Sequence, residues 1–208
     1  MNTDFRCMDS WRLRMKSMLK DAAILFAITL VAGFLLGAVY DVTKEPIAIQ
    51  TAKKKNEACK EVFADAVNFE AMETAEGVEG APADVDAAYQ ALAEDGTLMG
   101  YVLEVTTHEG YNGDIQFAMG IRLDGTVNGI SLLSIAETPG LGMKAEEVLK
   151  PQFTQKKASQ FIFTKTGATT EEQIDAISGA TITTNAVVVG VNTGLTYFQN
   201  ELGGTANE

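Results

Sequence analysis

The chain begins with one long apolar block and then changes its periodicity. Ala22 to Tyr40 is a run of 19 residues without a charge, bracketed by Asp21 and Asp41. At about 1.5 Å rise per residue it nearly crosses the roughly 30 Å hydrocarbon core of a bilayer. A cleaved signal peptide needs an apolar core of only about 7–15 residues and a small-residue cleavage site. This run is longer, and Ala38-Val39-Tyr40 matches such a site poorly, so an uncleaved anchor is the expectation. Gly33, Gly37 and Ala38 give it a small-x-x-x-small surface.

Beyond the span, Ile47 to about Phe63 reads as helical, with Lys53, Lys54 and Lys55 on a solvated face. Glu70 to Asp86 is rich in Ala, Glu, Gly and Asp and reads as a surface loop or irregular insertion. From Leu98 the period becomes two. Tyr101, Leu103 and Val105 alternate within a strand from Leu98 to Thr107, and Gly110-Tyr111-Asn112-Gly113 is a turn. Ile115 to Leu123 is a second strand, Asp124-Gly125 a hairpin turn, and Val127 to Leu133 a third. Lys144 to about Lys157 reads as helical despite Pro151, and Phe161 to Thr164 as a short strand. Val188, Val191, Leu195, Phe198 and Leu202 then recur at helical steps, which predicts a closing helix from about Asn185. Thr184 or Asn185 can cap it. Helices at both ends of an antiparallel sheet make the fold class α+β.

Charge refines the organisation. Arg12, Arg14, Lys16 and Lys20 lie close before the span; Lys44, then Lys53 to Lys55, follow it. The nearest flank favours a cytoplasmic N-terminus. The expected organisation is a cytoplasmic segment over residues 1–21, a transmembrane helix over 22–40 and an extracytoplasmic domain over 41–208. The net charge of -12 argues against a nucleic-acid partner. The two cysteines, Cys7 and Cys59, form no Cys-x-x-Cys pair, so the chain does not ligate an iron–sulfur cluster alone. His108 is the single histidine, which excludes a multi-histidine metal site, and it is assigned no role. No metal site and no residue acting as catalyst in turnover are expected.

Two loops carry candidate chemistry. In Glu137-Thr138-Pro139-Gly140-Leu141-Gly142, Pro139 fixes one φ angle and the glycines leave backbone N–H groups uncovered. Such a loop can pack its backbone and Leu141 against an aromatic ring, or serve as a tight connection. In Asp175-Ala176-Ile177-Ser178-Gly179-Ala180-Thr181, the small residues let a phosphate approach the backbone, and Gly179 can adopt positive φ. A helix start behind it offers free N–H groups and the positive end of the helix dipole to an anion.

The Asp-x-x-Ser-Gly-Ala-Thr stretch resembles the signature of proteins that carry FMN covalently through a threonine phosphoester. With the single span, Thr43-Lys44-Glu45-Pro46-Ile47-Ala48 after it, Gly110 to Gly113, and Glu137 to Gly142 in this order, nearly the whole chain resembles the G-subunit of the Rnf complex. That complex is a membrane-bound, ion-translocating ferredoxin:NAD oxidoreductase. The related C-subunit of the sodium-pumping NADH:quinone reductase shares the FMN domain and is usually longer. The resemblance implies that Thr181 holds FMN, and that Asp175, Ser178, Gly179 and Ala180 complete the sequence read by a separate FMN transferase. It further implies that Thr138, Pro139, Gly140, Leu141 and Gly142, and secondarily Gly110, Tyr111 and Gly113, neighbour the flavin. The expected partners are the other Rnf subunits, multi-spanning and iron–sulfur, within the membrane. Asn112 departs from the small residue that many relatives carry there, and Glu70 to Pro82 matches nothing in the family pattern. The alternatives are a membrane-anchored FMN-binding module outside such a complex, the FMN-carrying C-subunit of a sodium-pumping NADH:quinone reductase, and an anchored interaction domain without redox function.

Overall fold

The computed structural model describes residues 4–74 and 80–203, with side chains from residue 18 onward. Its contacts divide the chain into two units, Met1–Ala52 and Lys53–Glu208. Helix α1 runs unbroken over Asp4–Val62 with Pro46 inside it, so the expected break between the span and a second helix at Ile47 is not there. Proline removes one backbone donor but does not end this helix. One turn earlier, the Thr43 hydroxyl donates to the carbonyls of Val39 and Tyr40 at 2.9 and 3.2 Å. Among the described residues, α1 is the helix long and apolar enough to cross a membrane, with a window of mean hydropathy 2.5. Phe34 and Leu36 expose 74% and 72% of their surface. Such an apolar sleeve suits lipid rather than water. The side chains of Cys7, Arg12, Arg14 and Lys16 lie outside the described residues.

In the second unit, strands β1 (Asn68–Met72), β2 (Ala83–Leu92), β3 (Leu98–Thr107), β4 (Ile115–Arg122) and β5 (Val127–Ser134) form an antiparallel meander in sequence order. The register pairs Tyr101 with Ile121 and Val105 with Phe117. A short 3-10 turn over Gly142–Lys144, helix α2 (Ala145–Val148) and a second 3-10 turn over Lys150–Phe153 follow. Strands β6 (Ile162–Thr164) and β7 (Gln173–Asp175) then pair in parallel, and α3 (Thr181–Glu201) closes the fold. The architecture is α+β.

Three local expectations need correction. Residues 70–86 are not simply a loop: they hold the end of β1 and the start of β2, while 75–79 lie outside the described residues. β1 is an edge strand with no fully buried residue, so it shows no alternation to read. In β2 the inward positions include small alanines, which weaken the pattern. The stretch after Lys144 is three short pieces rather than one helix, with Pro151 in the first turn of the last. β7 is an addition to the expected strands, and α3 begins at Thr181 rather than Asn185.

The sheet is covered on both faces. Leu103, Val105, Phe117, Met119 and Ile121 pack with Val187, Val191, Leu195 and Phe198 of α3. On the opposite face Val102, Ala118 and Leu133 pack with Ala58, Cys59, Val62 and Phe63 from the end of α1. At about 1.5–3 kcal/mol for each large apolar side chain removed from water, both faces contribute to stability. The solvated basic triplet is also corrected. Only Lys53 stands free of the sheet, paired loosely with Glu57 at 3.8 Å. Lys54 Nζ donates to the Leu133 carbonyl and Lys55 Nζ to Glu104 Oε2, each at 2.5 Å. Cys59 is buried, and burial beside the Glu104 carboxylate pushes its thiol up to about 11.

Candidate functional site

A cavity of about 480 Å³ lies where three segments meet. Tyr111 comes from the turn after β3; Glu137, Thr138, Leu141 and Gly142 from the connection after β5; and residues 179–183 from the start of α3. The volume falls in the range of small-molecule sites, about 300–1,000 Å³. Seven of the residues singled out in the sequence line it: Tyr111, Thr138, Leu141, Gly142, Gly179, Ala180 and Thr181.

Local chemistry fixes the third segment. Gly179 has φ +80°, a conformation that side chains resist, and a Cβ there would meet Leu141 Cδ2 at 3.1 Å. The two loops therefore touch. Ala180 occupies the N-cap position and offers no side-chain cap. Thr181 is the first helical residue, so the first-turn N–H groups of α3 are not capped from the side chain before them. Neither Thr184 nor Asn185 caps the helix, contrary to expectation. The buried Thr184 hydroxyl instead accepts from the Ile177 N–H at 3.1 Å and donates to the Ala180 carbonyl at 3.0 Å. It locks the tight turn from behind. Asn185 Nδ2 donates to Glu109 Oε2 at 3.1 Å.

The second segment approaches so closely that only glycine fits at 142. A Cβ there would lie 2.7 Å from both Glu137 Cβ and Thr183 Oγ1. Glu137 ties this segment to the first. Its Oε1 accepts from the Tyr111 N–H at 2.7 Å and lies 3.5 Å from the Asn112 N–H, while Asn112 Nδ2 donates to the Ala136 carbonyl at 2.7 Å. Asn112 thus has a role in holding the turn, and its departure from the family pattern is accommodated.

Asp175, Ser178, Pro139, Gly140, Gly110 and Gly113 are not among the lining residues. The Asp175 carboxylate accepts from the Ala168 N–H at 2.5 Å, and its backbone is held on both sides by Gln152. Ser178 is exposed beside the cavity turn. Pro139 and Gly140 form the exposed tip of their loop. Gly110 and Gly113 close the turn on itself: a Cβ on Gly110 would collide with the Gly113 carbonyl.

Three lining residues are not legible as site residues in the sequence: Glu137, Ile182 and Thr183. Glu137 heads the Pro-Gly loop, where an acidic residue ordinarily faces water, yet it is only 5% exposed. Ile182 and Thr183 stand before the helix start that the apolar spacing predicts. Their helical placement is what turns them toward the cavity.

The donor set suits a flavin phosphate. A hydroxyl at the first position of a 21-residue helix stands where an anion meets free N–H groups, and half-exposed Leu141 and Ile182 offer apolar contact for a ring.

Comparisons with known proteins identify the family. An FMN-binding domain model matches residues 110–196, which contain all three cavity segments, and a model of the RnfG N-terminal region matches residues 8–62. The chain is 35% identical over 194 residues to the G-subunit of the Na(+)-translocating ferredoxin:NAD(+) oxidoreductase complex of Acetobacterium woodii, covering 89% of this chain and 93% of that protein. It is 32% identical over 190 residues to the G-subunit of the ion-translocating oxidoreductase complex of Methanosarcina acetivorans, covering 90% and 98%. The crystal structure of Shewanella oneidensis NqrC is similar with a TM-score of 0.49 at 20% identity, over 66% of this chain and 70% of that one. With nearly full-length relatives of this kind, the chain belongs to the G-subunit family of Rnf-type ion-translocating oxidoreductase complexes.

Proposed function

We propose that this protein is the membrane-anchored electron-transfer subunit of an Rnf complex, coupling electron flow between ferredoxin and NAD to Na+ or H+ translocation, with FMN esterified to Thr181. The observation that carries the reading is the meeting of Thr181, the uncapped start of α3 and the Glu137–Gly142 loop around one cavity. When bound, FMN accepts two electrons and passes them on singly, which suits a carrier between iron–sulfur centres and other flavins.

The chain's own residues position and shield the cofactor. Thr181 Oγ1 is the ester oxygen, and the first-turn N–H groups of α3 receive the phosphate charge. Thr184 and Gly179 hold the turn that presents Thr181. Leu141 and Ile182 would supply apolar contact to the ring, and Tyr111 lines the same cavity. Asp175, Ser178, Gly179 and Ala180 serve maturation, as the sequence read by an FMN transferase. Ser178 is exposed for that encounter, and Gln152 fixes the Asp175 backbone. The ester leaves one FMN less one water on the chain. Peptide mass mapping of the native protein should find that mass on the peptide containing Thr181. The same mass on Thr183 would move the attachment site, and an unmodified chain from its own host would end the flavin reading.

The domain from Asp41 onward is placed outside the cytoplasm, supported by Arg12 to Lys20 beside the span. Cys59 cannot report this, because it is buried and its thiol is raised. In a Glu94→Cys, Cys7→Ala, Cys59→Ala variant, the exposed turn at 94 should react with a membrane-impermeant maleimide on intact cells. Labelling only after lysis would invert the topology.

A further inference from the structure

Glu137 is a buried carboxylate in an otherwise largely apolar cavity. It is 5% exposed and has no ion-pair partner among the described residues. Burying a charge without compensation is costly, so each of its oxygens calls for a donor. Oε1 is supplied: the Tyr111 N–H donates at 2.7 Å and the Asn112 N–H sits at 3.5 Å. Among the described residues the hydrogen bonds to this carboxylate come to Oε1. The other oxygen, Oε2, lies close over Gly142, 2.9 Å from where a Cβ would stand, and Glu137 lines the cavity. Thr183 Oγ1 borders the same close approach, so the space for a ligand is the cavity itself rather than the spot over Gly142. An acceptor on a cavity wall to which no protein donor is bonded among the described residues can take one from a ligand.

We propose that Glu137 Oε2 accepts a hydrogen bond from an N–H or O–H of the bound flavin, and so fixes a negative charge beside it that lowers its reduction potential. The inference rests on FMN occupying this cavity. Its chemistry follows from the side chain. An ionised carboxylate is acceptor-only, so it selects the donor groups of a flavin and repels its carbonyl edges. Reduction adds electrons to the ring, and a fixed negative charge on the cavity wall opposes that addition. Glu137 is therefore a positioning residue with an electrostatic consequence, and its Oε1 serves the loops while Oε2 serves the ligand.

Glu137→Gln separates these two duties. The amide oxygen still accepts from Tyr111 and Asn112, while the cavity-facing atom becomes an N–H donor without charge. The full-length variant is expressed with the rest of the complex and the FMN transferase. Flavin attachment is read from fluorescence of the denatured band, and the potential of this flavin by spectroelectrochemical titration of the detergent-solubilised chain. The Gln chain should carry flavin and be reduced more readily, with the reduced-to-oxidised ratio at the wild-type midpoint raised about tenfold, close to 30 mV for a two-electron couple. Glu137→Asp keeps the charge and should stay near the wild-type midpoint. A flavin-loaded Gln chain with an unchanged midpoint overturns the proposal. If the Gln chain carries no flavin while the Asp chain does, the carboxylate itself is required and the proposal stands. If neither loads, Glu137 serves only the loops and the proposal falls. An unloaded wild-type chain instead removes the FMN reading beneath it.

Discussion

Glu104 and Glu137 are both buried carboxylates of the same domain, and they differ in what completes them. Glu104, 1% exposed in β3, faces the end of α1. Lys55 Nζ donates to its Oε2 at 2.5 Å and the Tyr89 hydroxyl to its Oε1 at 3.0 Å. Burial, and Glu104 beside it, push the Tyr89 hydroxyl up to about 12, so it remains a donor at any physiological pH. Around them, Ser131 and Lys150 each donate to Glu61 at 2.5 Å, and Asn128 reaches the Val62 carbonyl. Among the described residues, these side chains close on protein. Glu137, by contrast, receives backbone donors on one oxygen and opens toward a cavity on the other. A buried charge that protein fully satisfies holds a fold together; one left half-satisfied at a cavity wall is available to a ligand. The face toward α1 is structural, and the junction of loops with α3 is where the proposed site lies.

Substitutions on the two sides should therefore fail in different ways. The largest effect is expected from Thr181→Val, which removes the only oxygen able to form the ester while keeping size and shape. Flavin fluorescence of the denatured band should vanish and ferredoxin-dependent NAD reduction by membranes should stop, while the complex purifies with its partners. Stability should change by only about 0.5 kcal/mol, as for other partly exposed sites. Wild-type turnover in this variant would take this flavin off the electron path and favour the anchored-module reading.

Glu104→Ala should do the reverse. Removing one member of a buried pair typically costs about 3–5 kcal/mol. Lys55 keeps 35% of its side chain exposed, so the lower end of that range is expected. Thermal unfolding of the solubilised chain should fall markedly, whereas the molecules that remain folded should still carry flavin. Loss of flavin without loss of stability would mean that the two faces are not separable.

Gly142→Ala sharpens the functional side. Its methyl would press on Glu137 and Thr183 at 2.7 Å, and overpacking of this kind costs about 1–3 kcal/mol. Because the atoms displaced line the cavity, flavin loading should drop by more than that stability loss alone predicts. Equal loading at reduced stability would exclude Gly142 from the site.

The smallest effect is expected at His108, which lies outside both regions. Hydrogen bonds to Asp84 at 3.0 Å and Asp114 at 2.9 Å push it up to about 9. Its folded value lies above its ordinary one near 6.5, so its stabilising contribution is present in full below about pH 6.5 and disappears as pH rises through 9. The group is largely exposed and solvent screens it, so the change should be slight. His108→Gln should flatten that small slope of melting temperature between pH 6.5 and 9 and leave flavin loading alone. A clear loss of flavin would tie the Gly110–Gly113 turn to this histidine more closely than the contacts suggest.

Much of this molecule is legible along the chain because its signals are local. The span is a matter of apolar length. β3 begins and ends where the alternation of Tyr101, Leu103 and Val105 places it, and β4 and β5 follow around the Asp124-Gly125 turn. Ser178 to Thr181 predicts a tight turn of small residues before a helix, and Gly179 at positive φ with α3 starting at Thr181 matches it. Other features depend on residues distant in sequence. The value of Lys55 comes from Glu104, and the Pro46 position stays helical although the local rule discourages it. Thr184 resembles a cap until the fold buries it against Ile177. β1 and β7 carry too few buried side chains to show a period, and they exist because neighbouring strands supply their hydrogen bonds.

The sequence by itself therefore determined the anchor, the central strands, the closing helix and the threonine motif, since each is written in periodicity or residue size over a few neighbouring positions. Only the tertiary structure decided that α1 continues onto the sheet, that Glu104 is completed by Lys55, and that Glu137 turns inward to meet Tyr111 beside Thr183. Those outcomes rest on which chain segments come within a few ångströms of one another, and hydrogen-bond satisfaction across such gaps is a property of the packed whole.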